Sequence, residues 1–268
     1  MKIVVVGVGN LGSAIARSLT HSYAPKDIVL VERSAEARAA LKARHGCEVI
    51  GELSSDHRVE EGDLLIFSVK PQDAVATCAS VAPHVSSKAV ILSFMAGVRI
   101  ETLANILNTR RIVRAMPNLG ASIDESATGY YYCGETLASS DVEHVESLLS
   151  RLGKKWRVDR EELIDVVTAV AGSGPAYLCW LGEQIERVAL ECGISERDAH
   201  AMILQTFRGT ALYLEQSALS FAELRSRVTS PQGTTHAALT VLSEREAAES
   251  LQEAVVAAVR RGQALGAA

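Results

Sequence analysis

The sequence predicts an α/β fold in two parts. A doubly wound, mostly parallel sheet covers residues 1–158, and an all-α domain with apolar faces suited to a dimer covers residues 159–268. Three observations carry this. Short β-branched runs alternate with helix-like stretches up to about residue 158. From about Glu161 the apolar spacing turns helical, rich in alanine and almost without strand signal. The first β-branched run also ends directly in Gly7-Val8-Gly9-Asn10-Leu11-Gly12, a glycine-rich turn that opens a helix.

Taken in order, Ile3–Val6 reads as a strand, Leu11–Ser22 as a helix and Ile28–Val31 as a second strand. Ala35–Arg44 reads as a helix, and Leu64–Val69 and Ala89–Leu92 as further buried strands. Arg111–Arg114 and Thr128–Tyr132 extend the pattern. Such alternation builds right-handed βαβ units on a sheet covered on both faces. In the second part, Ile164–Val170, Ala176–Cys192, Glu196–Gln216, Phe221–Ser226 and Thr235–Gly262 are expected as helices. Gly172-Ser173-Gly174-Pro175 punctuates the first of these, and Ser230-Pro231-Gln232-Gly233 precedes the last.

Composition narrows the function. With 48% hydrophobic and 22% charged residues the chain is globular, not disordered. Aromatics are only 4%, so Ala, Val, Leu and Ile must fill the cores. A net charge of −5 without a Lys/Arg block argues against nucleic acid as partner. The apolar runs fall short of the ~18 residues of a membrane span, and a cleavable leader pattern is missing, so no membrane partner is expected. Five cysteines without a C-x-x-C pair point to reduced thiols in a cytoplasmic protein, with no metal site.

The glycine turn fits a dinucleotide. Gly7 permits the tight turn, Gly9 lets backbone reach a pyrophosphate, and Gly12 lets helix and sheet approach. The helix that begins over Asn10 and Leu11 offers N–H groups to phosphate, with Val8 inside the turn. Glu32 lies twenty residues after Gly12, where an acid accepts from a ribose 2′-hydroxyl. Arg33 and Ser34 follow it and offer a 2′-phosphate site instead. The two readings point to NAD and NADP respectively. Lys70 and Pro71 end a strand at the face where ligands of open α/β sheets bind, and Ala96-Gly97 makes a small turn with room for a flat nicotinamide ring. Asn118, after Arg114-Ala115-Met116-Pro117, offers an amide for a carboxamide. In the helical part, Thr229-Ser230-Pro231-Gln232-Gly233-Thr234-Thr235 aims hydroxyls and N–H groups at one point before a helix, a site for a carboxylate. The ordinary alternative is a helix cap, which needs one hydroxyl, not four. His236 reads as a first-turn histidine without a role.

Together these residues resemble the Δ1-pyrroline-5-carboxylate reductases. The resemblance spans the opening turn, Val69-Lys70-Pro71, Ala96-Gly97-Val98, Arg114 to Asn118, Gly172 to Tyr177 and Thr229 to Thr235. The chain departs from the family at Gln232, where glycine is usual, and at Leu119-Gly120, where Thr-Pro is usual. The resemblance implies an N-terminal Rossmann domain and a C-terminal dimerisation domain, in a homodimer or ring of dimers. It implies reduction of 1-pyrroline-5-carboxylate to L-proline, the last step of proline biosynthesis, with NADPH favoured over NADH as the family often prefers. Ser230, Gly233, Thr234 and Thr235 would hold the substrate, with Thr235 on the ring nitrogen as the catalytic contact. Gly7 to Gly12, Ser34, Lys70 and the Ala96-Gly97 turn would hold the dinucleotide. A protonated imine is already electrophilic, so a site without a strong general acid suffices. One alternative, a β-hydroxyacid dehydrogenase, uses a lysine in its helical half, and none occurs from Glu161 to Ala268. The other, a non-catalytic NAD(P)-sensing regulator, leaves the hydroxyl-rich turn without a task.

Overall fold

The structure, a computed structural model, describes residues 1–60 and 62–266; the last two positions of the expected helical domain, 267 and 268, lie outside it. Eight strands form one sheet: β1 (Ile3–Val6), β2 (Ile28–Val31), β3 (Glu48–Ile50), β4 (Leu64–Phe67), β5 (Val90–Ser93), β6 (Ile112–Met116), β7 (Ser126–Tyr132) and β8 (Gly153–Arg157). Their order is β3-β2-β1-β4-β5-β6-β7-β8. Only β6 and β7 pair antiparallel. The chain order reverses between β1 and β4, which makes their carboxyl ends the crevice where ligands of such sheets bind.

β1, β2, β4 and β5 are buried along their whole length, as β-branched runs covered on two faces must be. Alternate residues feed two cores. Ile3, Val5, Leu30, Ile66 and Leu92 pack against α1 (Asn10–Thr20) through Ile15 and Leu19. Val4, Val6, Leu65, Phe67 and Ile91 face the other way. That second core also holds Cys78 and Val81 of α3 (Ala74–Val81) and Leu103 and Leu107 of α4 (Ile100–Leu107). α2 (Ala35–His45) follows β2, and α5 (Ser139–Arg151) precedes β8.

The helices of the second part are α6 (Leu163–Val167), α7 (Gly174–Glu191), α8 (Glu196–Ser217), α9 (Phe221–Arg227), α10 (Thr234–Glu244) and α11 (Ala247–Gly266). Two expectations need correction. The stretch expected as one helix, Thr235–Gly262, is two, because Glu246 adopts a left-handed φ of +53° and restarts the helix. Gly172-Ser173-Gly174-Pro175 does not end a helix. A π-helical turn over Thr168–Gly172, closed by Ser173 N–H on the Thr168 carbonyl at 2.8 Å, carries the helical run on. The run Leu163–Glu191 is therefore 29 residues, long and apolar enough to cross a membrane by length and composition, unlike the short runs expected.

The chain divides into two compact units. One is residues 1–173 with the last stretch from Ala257, and the other is Gly174–Val256. The expected boundary at 158/159 marks the end of the sheet, whereas α6 and the π turn group with the sheet. Asp165 of α6 is 1% exposed and meets Arg114 of β6, 0% exposed, at 2.6 Å. Glu161 accepts from the same guanidinium at 3.2 Å, and Arg99 approaches Asp165 at 3.4 Å. In the second unit α7 and α8 pack on each other, with Phe207 and Ile203 lying against Gly182.

Candidate dinucleotide site and substrate turn

The glycine turn is shaped by its neighbour strand. A Cβ on Gly7, whose φ is +86°, would lie 2.4 Å from the Val69 side chain. One on Gly12 would lie 2.2 Å from the Gly7 carbonyl oxygen. Ser68, just past the end of β4 and without a motif of its own, donates its hydroxyl to that carbonyl. Gly9 is different: nothing lies within 4 Å of where its Cβ would be. Close packing therefore accounts for Gly7 and Gly12, and Gly9 presents bare backbone to open space at the head of α1. That helix has no side-chain cap, so its first N–H groups face outward. This cradle fits a pyrophosphate.

Val8 and Glu32 are joined: the Val8 N–H donates to Glu32 Oε2 at 3.2 Å, and the Ser34 N–H donates to Oε1 at 2.9 Å. Ser34 caps α2 by accepting from Ala37 N–H at 3.2 Å, and the exposed Arg33 lies 3.8 Å from Asp73. Lys70 is exposed and leads into the short helix that Pro71 opens, at the carboxyl end of β4.

Two expectations change here. Gly97 has a φ of +73°, and its Cβ direction is filled: Leu265 Cβ of α11 lies 2.6 Å away. Its smallness thus serves the close approach of α11. Asn118 is likewise engaged inside the protein. Its Oδ1 accepts from Gly120 N–H at 3.0 Å, and its Nδ2 donates to the Ala171 carbonyl at 3.1 Å. Ala171 is four residues before Pro175, whose missing N–H leaves that carbonyl without a helical donor. A sequence signal for this pairing existed in the proline. Asn118 instead frames a cavity of about 390 Å³ lined mainly by Asn10, Leu11, Met116, Pro117, Thr168 and Ser173. It adjoins the first turn of α1.

In the second unit, the turn before α10 folds Ser230 back onto Gly233. Gly233 N–H donates to the Ser230 carbonyl at 3.0 Å, and a Cβ on Gly233 would lie 2.4 Å from Ser230 Oγ. Gln232 takes the left-handed region, φ +60°, where the family's glycine would be unstrained. The substitution therefore keeps the turn at a backbone cost of about 1 kcal/mol. Gly233 is the N-cap of α10, which has no side-chain cap hydrogen bond. Thr234 and Thr235 occupy its first two positions, and neither serves as the cap. His236 follows in the same turn and is exposed.

Comparison with known proteins gives concordant matches. Residues 161–265 match the family model described as pyrroline-5-carboxylate reductase dimerisation. Residues 2–97 match one described as NADP oxidoreductase coenzyme F420-dependent. The chain is 35% identical over 240 residues to pyrroline-5-carboxylate reductase of Pseudomonas aeruginosa, covering 89% of this chain and 87% of that one. It is 32% identical to pyrroline-5-carboxylate reductase 2 of Bacillus subtilis, covering 97% and 93%. Among solved structures, a pyrroline-5-carboxylate reductase from Coxiella burnetii superposes with a TM-score of 0.86 at 28% identity, over 98% of each chain.

Proposed function

Since the chain belongs to the pyrroline-5-carboxylate reductase family, we propose that it reduces the C=N bond of 1-pyrroline-5-carboxylate to give L-proline, using NAD(P)H. The observation that carries this reading is the start of α10, which has no side-chain cap although Ser230, Thr234 and Thr235 stand in or next to its first turn. A helix start of this kind attracts a carboxylate. Ser230, Gly233 and Thr234 hold that carboxylate at the first turn of α10, and the Thr235 hydroxyl bonds the ring nitrogen, fixing the imine carbon for attack. A bound reduced nicotinamide supplies the hydride. Gly9 and the N–H groups of α1 bind its pyrophosphate, and Val8, Glu32, Arg33 and Ser34 line its adenosine end. Lys70, Pro71 and Ala96 flank the crevice, and Asn118 keeps the cavity wall in position. No proton donor stronger than a hydroxyl is needed, because the iminium nitrogen already carries the proton.

Residues 1–158 are assigned to dinucleotide binding and residues 159–268 to substrate binding and dimer formation. Support for a dimer comes from the exposed apolar face of the helical part, which includes Leu178, Trp180 and Leu204. A cytoplasmic location is consistent with the free state of all five cysteines.

The test is Thr235→Ala. Loss of a charge-assisted hydrogen bond lowers kcat/KM by about 10- to 150-fold, or roughly 1.5–3 kcal/mol, with Tm unchanged because Thr235 caps nothing. A lowered Tm with intact kinetics would remove Thr235 from the site. Proline-dependent reduction of NAD(P)+ at alkaline pH separates the enzyme from a non-catalytic sensor, which gives no turnover.

A further inference from the structure

We infer that the chain selects the dinucleotide with a free ribose 2′-hydroxyl, NADH over NADPH, and that the Glu32 carboxylate makes the selection. The inference rests on the reductase reading above and reverses the preference that family resemblance suggested. Glu32 directly follows β2, next to the switch point between β1 and β4, where a doubly wound sheet reads the 2′ position. Its two oxygens are each anchored by a backbone N–H, from Val8 and from Ser34. The carboxylate is therefore tied to the same turn whose Gly9 backbone faces open space. Each carboxylate oxygen accepts more than one hydrogen bond, so acceptor capacity remains for a hydroxyl. A 2′-hydroxyl donates to it; a 2′-phosphate has no proton to donate near neutral pH and is repelled.

The groups that could hold a phosphate are partly committed within the protein. Ser34 Oγ accepts from Ala37 N–H as the cap of α2. Arg38 donates through one nitrogen to the carbonyls of Glu32 and Arg33, at 3.1 and 2.7 Å. Arg33 lies 3.8 Å from Asp73, so a second carboxylate stands beside this exposed cation. Glu32 and Asp73 thus set two carboxylates beside Arg33 and Arg38.

The experiment titrates the substrate-free enzyme with NADH and with NADPH separately, following the fluorescence of the bound nicotinamide at fixed ionic strength. The expected result is NADH binding at least ~10-fold more tightly than NADPH. Glu32→Gln retains a carbonyl that accepts from the Val8 N–H and removes the charge. It should narrow the ratio by ~10-fold or more, chiefly by tightening NADPH. Wild-type enzyme that binds NADPH as tightly as NADH overturns the inference, as does a ratio unchanged in a folded Glu32→Gln variant. Either of those leaves the reductase reading intact. A folded protein that binds neither dinucleotide overturns both.

Discussion

The sheet unit and the helical unit are both rich in apolar residues, but they dispose of them in opposite ways. The first buries its strands completely and builds two cores, one on each face. In the second, among the described residues from 174 to 256, only Ala199 is buried. Trp180 and Leu204 are each 60% exposed. Parallel strands find their partners within one chain, because each crossover helix returns to cover the sheet it left. A pair of long helices has faces pointing away from its own partner, and those faces need a second chain. A core complete within one chain thus stands against a helical unit whose apolar faces are left uncovered.

The largest expected effect comes from charging one of these uncovered faces. Leu204→Glu places an unpaired carboxylate on the apolar face of α8, and two-fold symmetry repeats it. Association should weaken by at least ~100-fold, roughly 3 kcal/mol, and light scattering should report the 28.6 kDa monomer. Dinucleotide affinity should stay within about twofold. A variant that stays dimeric would mean that this face is not the interface.

Next is the buried charge cluster that binds α6 to the sheet. Arg114→Leu leaves Asp165 and Glu161 without their shared guanidinium, and removing one partner of a buried pair costs about 3–5 kcal/mol. Thermal unfolding should fall by on the order of 10 °C. Replacing Asp165 with Asn in the same chain should recover part of the loss. If Arg114→Leu melts like the wild type, the cluster does not hold the two elements together.

A smaller effect sharpens the description of the sheet core. Burial pushes the Cys78 thiol from 9.0 up to about 12. The unfolded chain therefore ionises this thiol first, and the associated stability, complete below about pH 9, is lost as pH rises toward 12. Cys78→Ala should flatten the fall of Tm over that interval. Tyr130, whose hydroxyl is also raised by burial and by Glu146, still contributes to the remaining slope above its ordinary range. Parallel curves for variant and wild type would count against a buried thiol. The alkaline proline assay is best run below this interval.

What was readable in the sequence follows the same division. β1, β2, β4 and β5 were visible because burial on both faces demands unbroken β-branched runs. β3, Glu48–Ile50, and β8, Gly153–Arg157, were not, since as edge strands they keep charged and partly exposed residues. The break before α11 was hidden because Arg245-Glu246 contains neither glycine nor proline. The glycine turn was legible because its spacing is itself the chemistry. Arg114 and Asp165 are 51 positions apart, so no local pattern pairs them before folding brings them together. The packing of Gly97 was not legible because the residue that fills its Cβ direction, Leu265, lies at the far end of the chain.

The three glycines of the first turn also give a built-in control for a variant library. Any side chain at Gly7 or Gly12 collides with Val69 or with backbone, so those variants should vanish from a sort for soluble protein. A side chain at Gly9 meets nothing within 4 Å, so those variants should survive that sort and disappear only under proline starvation. Two readouts on one hexapeptide would thus distinguish what selection keeps for folding from what it keeps for the ligand, with neighbouring residues as each other's reference.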